Sequence, residues 1–221
     1  MISSEKSRAS KILSIILSII LFAMMLLMVI LICVYMAFEP VKIMGTSMEN
    51  SYFDGDTVVM QKLLNEPEKG EVAIIKRDED NVIKRIVAIE GESVGFVDNG
   101  NGTASMYVRN QNGEFTLVNE PYIKNGTMSA NDFTFLNIPL FSSIDKLKEN
   151  GGFVLSKNQI FVLGDNRDVS LDSRSYGAVD KKDVLGVVVK RVQPNSFLQK
   201  IISFIYKNER KINNKELVSY D

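Results

Sequence analysis

Met44-Gly45-Thr46-Ser47-Met48 joins two kinds of sequence: an uncharged apolar run before it, and short Val-, Ile- and Phe-rich runs broken by Gly, Asn and Asp after it. That junction decides the architecture, which reads as a membrane segment followed by a mostly β domain. A glycine with two hydroxyls at such a boundary suggests a nucleophile held close to a bilayer. The same residues also suit a plain turn into the first strand, as short Gly/Ser segments usually do. Taken alone, the stretch leaves both readings open.

Upstream, Ile12 to Phe38 carries no charge, and Ser14 and Ser18 are its only clearly polar residues. About 20 apolar residues at ~1.5 Å rise cross a hydrocarbon core of ~30 Å, so a helix over 12–36 spans with some tilt. The run exceeds the ~7–15 apolar residues of a cleaved signal peptide, and no A-x-A-like site follows, so an uncleaved anchor is expected. Lys6, Arg8 and Lys11 are opposed only by Glu5. The positive-inside rule then places residues 1–11 as a cytoplasmic tail and everything after Phe38 outside. Glu39-Pro40 is expected to end the helix.

Downstream, residues 37–195 read as one β-rich domain. Strands are expected at Val41–Met44, Thr57–Lys62, Glu71–Lys76, Val82–Ile89, Ser93–Val97, Met106–Arg109, Phe115–Val118, Phe153–Leu155, Gln159–Leu163 and Val184–Val192. Residues 99–152 are richer in Gly, Asn and Ser and read as a variable subdomain inserted on that core, with a helix over Ser143–Asn150 that Gly151 could cap. Asn101-Gly102-Thr103 and Asn125-Gly126-Thr127 match the glycosylation pattern and receive no role. In 196–221, Phe197, Leu198, Ile201, Ile202 and Ile205 share a helical face beside Lys200 and Lys207, ahead of a charged tail. That segment is too short to span; it packs on the domain or lies in the membrane interface.

Composition narrows the chemistry. Lys+Arg 26 against Asp+Glu 27 gives a net charge of −1, so nothing points to a nucleic-acid partner. The chain of 221 residues has no histidine and one cysteine, Cys33, inside the apolar run. A Ser-His-Asp or Cys-His mechanism, a zinc site built on His and Cys, and an intrachain disulfide are all excluded. A hydrolase built from this chain needs Lys, Asp or Glu as its base.

Lys84 is the candidate base for a serine. In Asn81-Val82-Ile83-Lys84-Arg85-Ile86-Val87-Ala88-Ile89, strand alternation puts Val82, Lys84, Ile86 and Ala88 on one face. Lowering a lysine from ~10.4 to ~7–8 takes roughly 4 kcal/mol of environmental bias, which burial can supply. Lys84 and Arg85 would also suit an edge strand reaching solvent. Gly164-Asp165-Asn166-Arg167-Asp168-Val169-Ser170-Leu171-Asp172-Ser173-Arg174-Ser175-Tyr176-Gly177 is either a polar surface loop or a scaffold of paired charges beside a reactive group.

Together these stretches resemble the bacterial type I signal peptidases, membrane-anchored serine-lysine proteases. Gly45-Thr46-Ser47-Met48 is similar to the family's nucleophile box, Gly55-Asp56-Thr57-Val58-Val59 to its next box and Lys84-Arg85-Ile86-Val87 to its lysine box. Gly164 to Gly177 fits the last box, Gly-Asp-Asn-Arg-x-x-Ser-x-Asp-Ser-Arg-x-x-Gly, at every specified position. Asn119-Glu120-Pro121-Tyr122 resembles a segment these enzymes carry before their variable insert. The family usually has Pro where Asn50 stands, and Gly-x-Pro-Gly-Asp where this chain has Ala88-Ile89-Glu90-Gly91-Glu92.

The resemblance implies Ser47 as nucleophile, Lys84 as general base, and Ser170 bonded to the lysine amine. It further implies Asp172 and Arg174 as a supporting ion pair, and the Ser47 N–H as oxyanion donor. Gly45 stands where some relatives carry a second, hydroxyl donor. No metal or cofactor is implied. The implied partners are precursors with Ala-x-Ala signal-peptide sites and membrane lipid, at the bacterial plasma membrane. A non-catalytic assembly or chaperone module for pilus or surface proteins is the alternative function.

Overall fold

Ile2 to Ala37 contains neither glycine nor proline, and it forms one helix, α1 (Ile2–Ala37). The helix begins well before residue 12. Its side chains from Lys11 to Met36 are exposed all round, and Lys11–Ala37 is long and apolar enough to cross a membrane. Ser14 and Ser18 donate their hydroxyls to the carbonyls of Lys11 (2.8 Å) and Ser14 (2.9 Å), which satisfies them inside an apolar segment. α1 ends earlier than Glu39-Pro40. A residue before proline is pushed toward extended backbone, and Phe38 and Glu39 join the first strand instead, β1 (Phe38–Ile43).

The structure is a computed structural model that describes residues 2–62, 66–77, 80–110, 112–123, 128–130, 138–194, 196, 197, 200 and 210–212. Leu198, Ile201, Ile202, Ile205, Lys207 and the Asn125-Gly126-Thr127 pattern lie outside the described residues. From Pro40 onward the chain forms a unit of its own. In chain order it contains β2 (Thr57–Lys62), β3 (Val72–Arg77), β4 (Asp80–Ile89), β5 (Ser93–Asp98), β6 (Thr103–Arg109), β7 (Phe115–Leu117), β8 (Met128–Ser129) and β9 (Leu140–Phe141). There follow α2 (Ile144–Asn150), β10 (Phe153–Val154), β11 (Gln159–Leu163), α3 (Ser173–Tyr176), β12 (Val179–Asp180), β13 (Val184–Val192) and β14 (Arg210–Ile212). The described residues are mainly β with one N-terminal apolar helix.

Two sheets result. The first runs β12-β11-β4-β3-β13-β2-β1-β14; the second runs β10-β5-β6-β7, with β8 on β6 and β9 on β5. β4 is an interior strand, which removes the edge reading for Lys84 and Arg85. Regular antiparallel pairing sets Ala73 opposite Lys84 and Ile75 opposite Val82. Val82 and Ile86 pack with Ala73, Ile75, Ile160 and Val162, so the expected face holds from Val82 to Ile86. It breaks at Val87, where the pairing with β11 shifts register. Such a bulge reverses the side-chain phase. Ala88 therefore joins Val87, Phe96, Phe161 and Leu163 in a different cluster.

α2 shows the local signals working together. Ser143 Oγ accepts the Lys146 N–H at 3.3 Å, and Gly151, at φ 89°, donates its N–H to the Leu147 carbonyl at 2.9 Å. Leu147 is fully buried against Gly95, where an added Cβ would come within 2.1 Å of its Cδ1.

Candidate active site

Ser47 opens the turn that follows β1. Gly45 enters it at φ 90°, a backbone conformation open to glycine, and donates its N–H to Asp54 Oδ1 at 2.7 Å. Glu49 N–H then closes on the Thr46 carbonyl at 3.0 Å, and Tyr52 N–H on Met48 at 2.9 Å. Met48 is buried with Val41, Ile43, Val58, Met60 and Ile83, so the residue after the serine anchors the turn in the core. The turn reading and the nucleophile reading are thus compatible.

β4 delivers Lys84 to this turn. Its Nζ donates to Ser47 Oγ across 3.0 Å, with the lysine 2% and the serine 8% exposed. Burial disfavours an ammonium, and for a neutral amine the contact reverses, Oγ–H donating to Nζ. The neighbouring Arg85 points elsewhere: Nε and Nη2 bind Asp165 at 2.9 and 2.6 Å, and Nη1 reaches the Gly70 carbonyl at 2.9 Å.

The loop after β11 is a scaffold of paired charges. Asp165 is fully buried on Arg85. Asn166 donates its N–H to the Ser47 carbonyl at 3.0 Å and its Nδ2 to the Thr46 carbonyl at 3.2 Å, so it holds the backbone of the serine turn directly. Arg167 binds Glu120 with both terminal nitrogens and the Gly164 carbonyl with Nε. Tyr122 donates to Glu120 at 2.8 Å and lies under the Arg85 guanidinium, 4.0 Å from it. Burial, and next the Glu120 carboxylate, push the Tyr122 phenol up.

Asp172 caps α3, accepts the Gly164 N–H at 3.0 Å, and is gripped by Arg174. Arg174 also donates to the carbonyls of Arg167 (2.8 Å) and Ser170 (3.2 Å). Ser173 Oγ accepts the Val162 N–H at 3.0 Å. Ser170 is brought to the site but is not joined to Lys84: its Oγ is buried without a hydrogen-bond partner among the described residues. It lies where a Cβ on Gly164 would meet it at 2.1 Å, and that same Cβ would stand 2.5 Å from the Ser47 carbonyl.

Several supporting groups have no distinguishing signal in the sequence. Asp165, Asn166 and Arg167 fall in the last box and Arg85 in the lysine box, but none of them carries a role of its own in the sequence. Glu120 and Tyr122, in the segment after β7, join them from far along the chain, and no local periodicity marks such a pairing. The unusual Glu90 and Glu92 are both satisfied. Glu92 accepts Ile89 N–H at 3.0 Å and Lys69 Nζ at 2.9 Å, while Glu90 accepts Asn158 N–H at 2.7 Å and pairs with Lys181 at 3.2 Å.

A family model described as signal peptidase, peptidase S26, matches residues 16–193. The chain belongs to this signal peptidase family. A signal peptidase I of Bacillus licheniformis is 30% identical over 155 residues, covering 67% of this chain and 73% of that protein. A signal peptidase IB of Staphylococcus aureus is 29% identical over 167 residues, 71% of this chain and 78% of its own. The crystal structure of a signal peptidase I from Enterococcus faecalis V583 overlaps 57% of this chain and 98% of its own at 23% identity, with a TM-score of 0.38; an overlap that loose adds nothing to the assignment. Signal peptidases of this family are serine endopeptidases that remove signal peptides, and membership disfavours a module that binds without cutting.

Proposed function

We propose that Ser47 and Lys84 are the nucleophile and general base of a membrane-anchored signal peptidase. The observation that carries the reading is the buried 3.0 Å contact between Lys84 Nζ and Ser47 Oγ in a chain without histidine. Neutral Lys84 takes the hydroxyl proton as Oγ attacks the scissile carbonyl carbon, and the Ser47 N–H faces the developing oxyanion. The tetrahedral intermediate then collapses. Its C–N bond breaks, the lysine ammonium returns its proton to the departing amine, and the signal peptide stays as an ester on Ser47. Lys84, neutral again, deprotonates a water that attacks the ester, and the proton passes back to Oγ as the signal peptide leaves.

Asp172 and Arg174 support this site as an ion pair, and Ser170 orients the amine once its unpartnered hydroxyl turns to it. The substrates are precursors with Ala-x-Ala sites, α1 is a single-pass anchor in contact with lipid, and the β domain lies on the extracytoplasmic face of the bacterial plasma membrane. Supporting the orientation are Lys6, Arg8 and Lys11 ahead of the apolar run. The test is processing of an exported precursor by purified protein. Ser47→Ala and Lys84→Ala should each reduce cleavage by about four to six orders of magnitude. Persistent cleavage by either variant would sink the assignment.

A further inference from the structure

Asn50 stands where the family usually has proline, and its backbone is at φ 104°. Proline is held near −65°, so this turn has a form that the proline chain cannot take. Asparagine is among the few residues that tolerate the left-handed region, and here its side chain is also used. Nδ2 donates to the Asp165 carbonyl at 3.1 Å. That carbonyl belongs to the same peptide group as the Asn166 N–H, which donates to the Ser47 carbonyl at 3.0 Å. One peptide unit is therefore clamped at both ends by a single turn, through Ser47 at one end and Asn50 at the other.

The clamped unit is itself fixed to the strand of the base. Asp165 is fully buried and bound at both carboxylate oxygens by Arg85, the residue after Lys84 on β4. A closed circuit results: Ser47 to Lys84 through the reacting groups, Lys84 to Arg85 along β4, Arg85 to Asp165, and Asp165 back to the Ser47 turn through Asn50. We infer that Asn50 is a positioning residue for the cleavage reaction, setting the Ser47 turn in register with the Lys84 strand through the Asp165–Asn166 peptide unit. The inference rests on Ser47 and Lys84 as the reacting pair.

The variants that isolate the amide are Asn50→Gly and Asn50→Asp. Both tolerate the left-handed backbone; the first has no side chain to offer, and the second replaces the donor with an acceptor facing a carbonyl. In full-length protein in detergent micelles, kcat on a signal-peptide substrate should fall about tenfold in Asn50→Gly, the scale of one hydrogen bond, and further in Asn50→Asp. KM should stay within about twofold. Hydrogen exchange at the Asn166 amide should speed up by a similar factor in both. Wild-type kcat in Asn50→Gly overturns the proposal, and so does unchanged Asn166 exchange. A wild-type protein that cleaves no precursor overturns the Ser47–Lys84 assignment instead, and the Asn166 exchange then decides the clamp alone.

Discussion

Arg174 holds Asp172 at both carboxylate oxygens, Nε to Oδ1 at 2.9 Å and Nη2 to Oδ2 at 3.0 Å, within electrostatic reach of Lys84. The pair matters because Lys84 must be neutral to act as a base. A carboxylate committed to arginine has less capacity to stabilise a nearby ammonium. In Arg174→Ala the Asp172 charge is left to Lys84, whose amine then holds its proton to higher pH. The wild-type rate should rise with pH as Lys84 deprotonates, and in Arg174→Ala that rise should move up by about one pH unit or more. Measuring kcat from about pH 5 to 9 checks both statements. A flat wild-type profile would count against a lysine base.

The same pair makes stability depend on pH. Burial raises the Asp172 carboxyl, but Arg174, the Gly164 N–H and Lys84 outweigh it and hold the group below the usual carboxylate range. A carboxyl depressed in the folded state contributes stability that is fully present above its unfolded value of about 3.9 and is lost as pH falls through the folded value. Asp172→Asn should therefore cost roughly 3 kcal/mol at neutral pH, since it breaks a buried pair. Between neutral pH and strongly acidic pH the gap to wild type should narrow, as the wild-type carboxyl is neutralised on passing through its depressed folded value. Thermal melts followed by near-ultraviolet circular dichroism at the two pH values would show it.

Gly164 is constrained by space. A methyl there would sit 2.1 Å from Ser170 Oγ and 2.5 Å from both Ser170 Cβ and the Ser47 carbonyl; the hydroxyl can rotate away, but the other two cannot move without their residues' backbone. Gly164→Ala should displace the nucleophile and lower kcat by about 10²-fold, with a smaller change in KM. Steady-state kinetics on one substrate separates the two parameters, and a wild-type kcat would contradict the packing argument.

Leu147 offers the opposite case, a residue important for stability and remote from the chemistry. It is fully buried on Gly95 in the second sheet. Leu147→Ala should lose about 2–5 kcal/mol. At temperatures well below the melt its kcat should equal that of wild type. A fall in kcat without a fall in melting temperature would refute this separation.

Much of this was legible in the chain because local chemistry and tertiary outcome agree. Val/Ile alternation marked the long strands β2, β3, β4, β11 and β13 to within a few residues, and Ser143 with Gly151 framed α2. The two-residue strands β8, β9 and β12 were not expected, whereas the equally short β10 was, from the apolar run Phe153–Leu155; so short a stretch has no period to mark it. The phase reversal at Val87 was hidden for a related reason: a bulge is set by the partner strand, not by the residues that carry it. At the site, Ser47 and Lys84 stood out as candidates, but the 3.0 Å contact between them was not legible in the sequence. The left-handed Asn50, the Arg85–Asp165 pair and the unbonded Ser170 hydroxyl depend on how separate loops meet, and composition cannot express that.

The second sheet offers a practical handle. Its first strand, β5, pairs antiparallel with its last, β10, Val94 opposite Phe153 and Ser93 opposite Val154. Chain leaving through one is recovered through its immediate neighbour, and in between it returns to the site scaffold at Glu120 and Tyr122, which lie beyond β7. A fluorophore, an epitope or a cross-linker spliced into the turn between β6 and β7 would travel with the enzyme while leaving its chemistry alone, which makes that hairpin the place to attach a reporter.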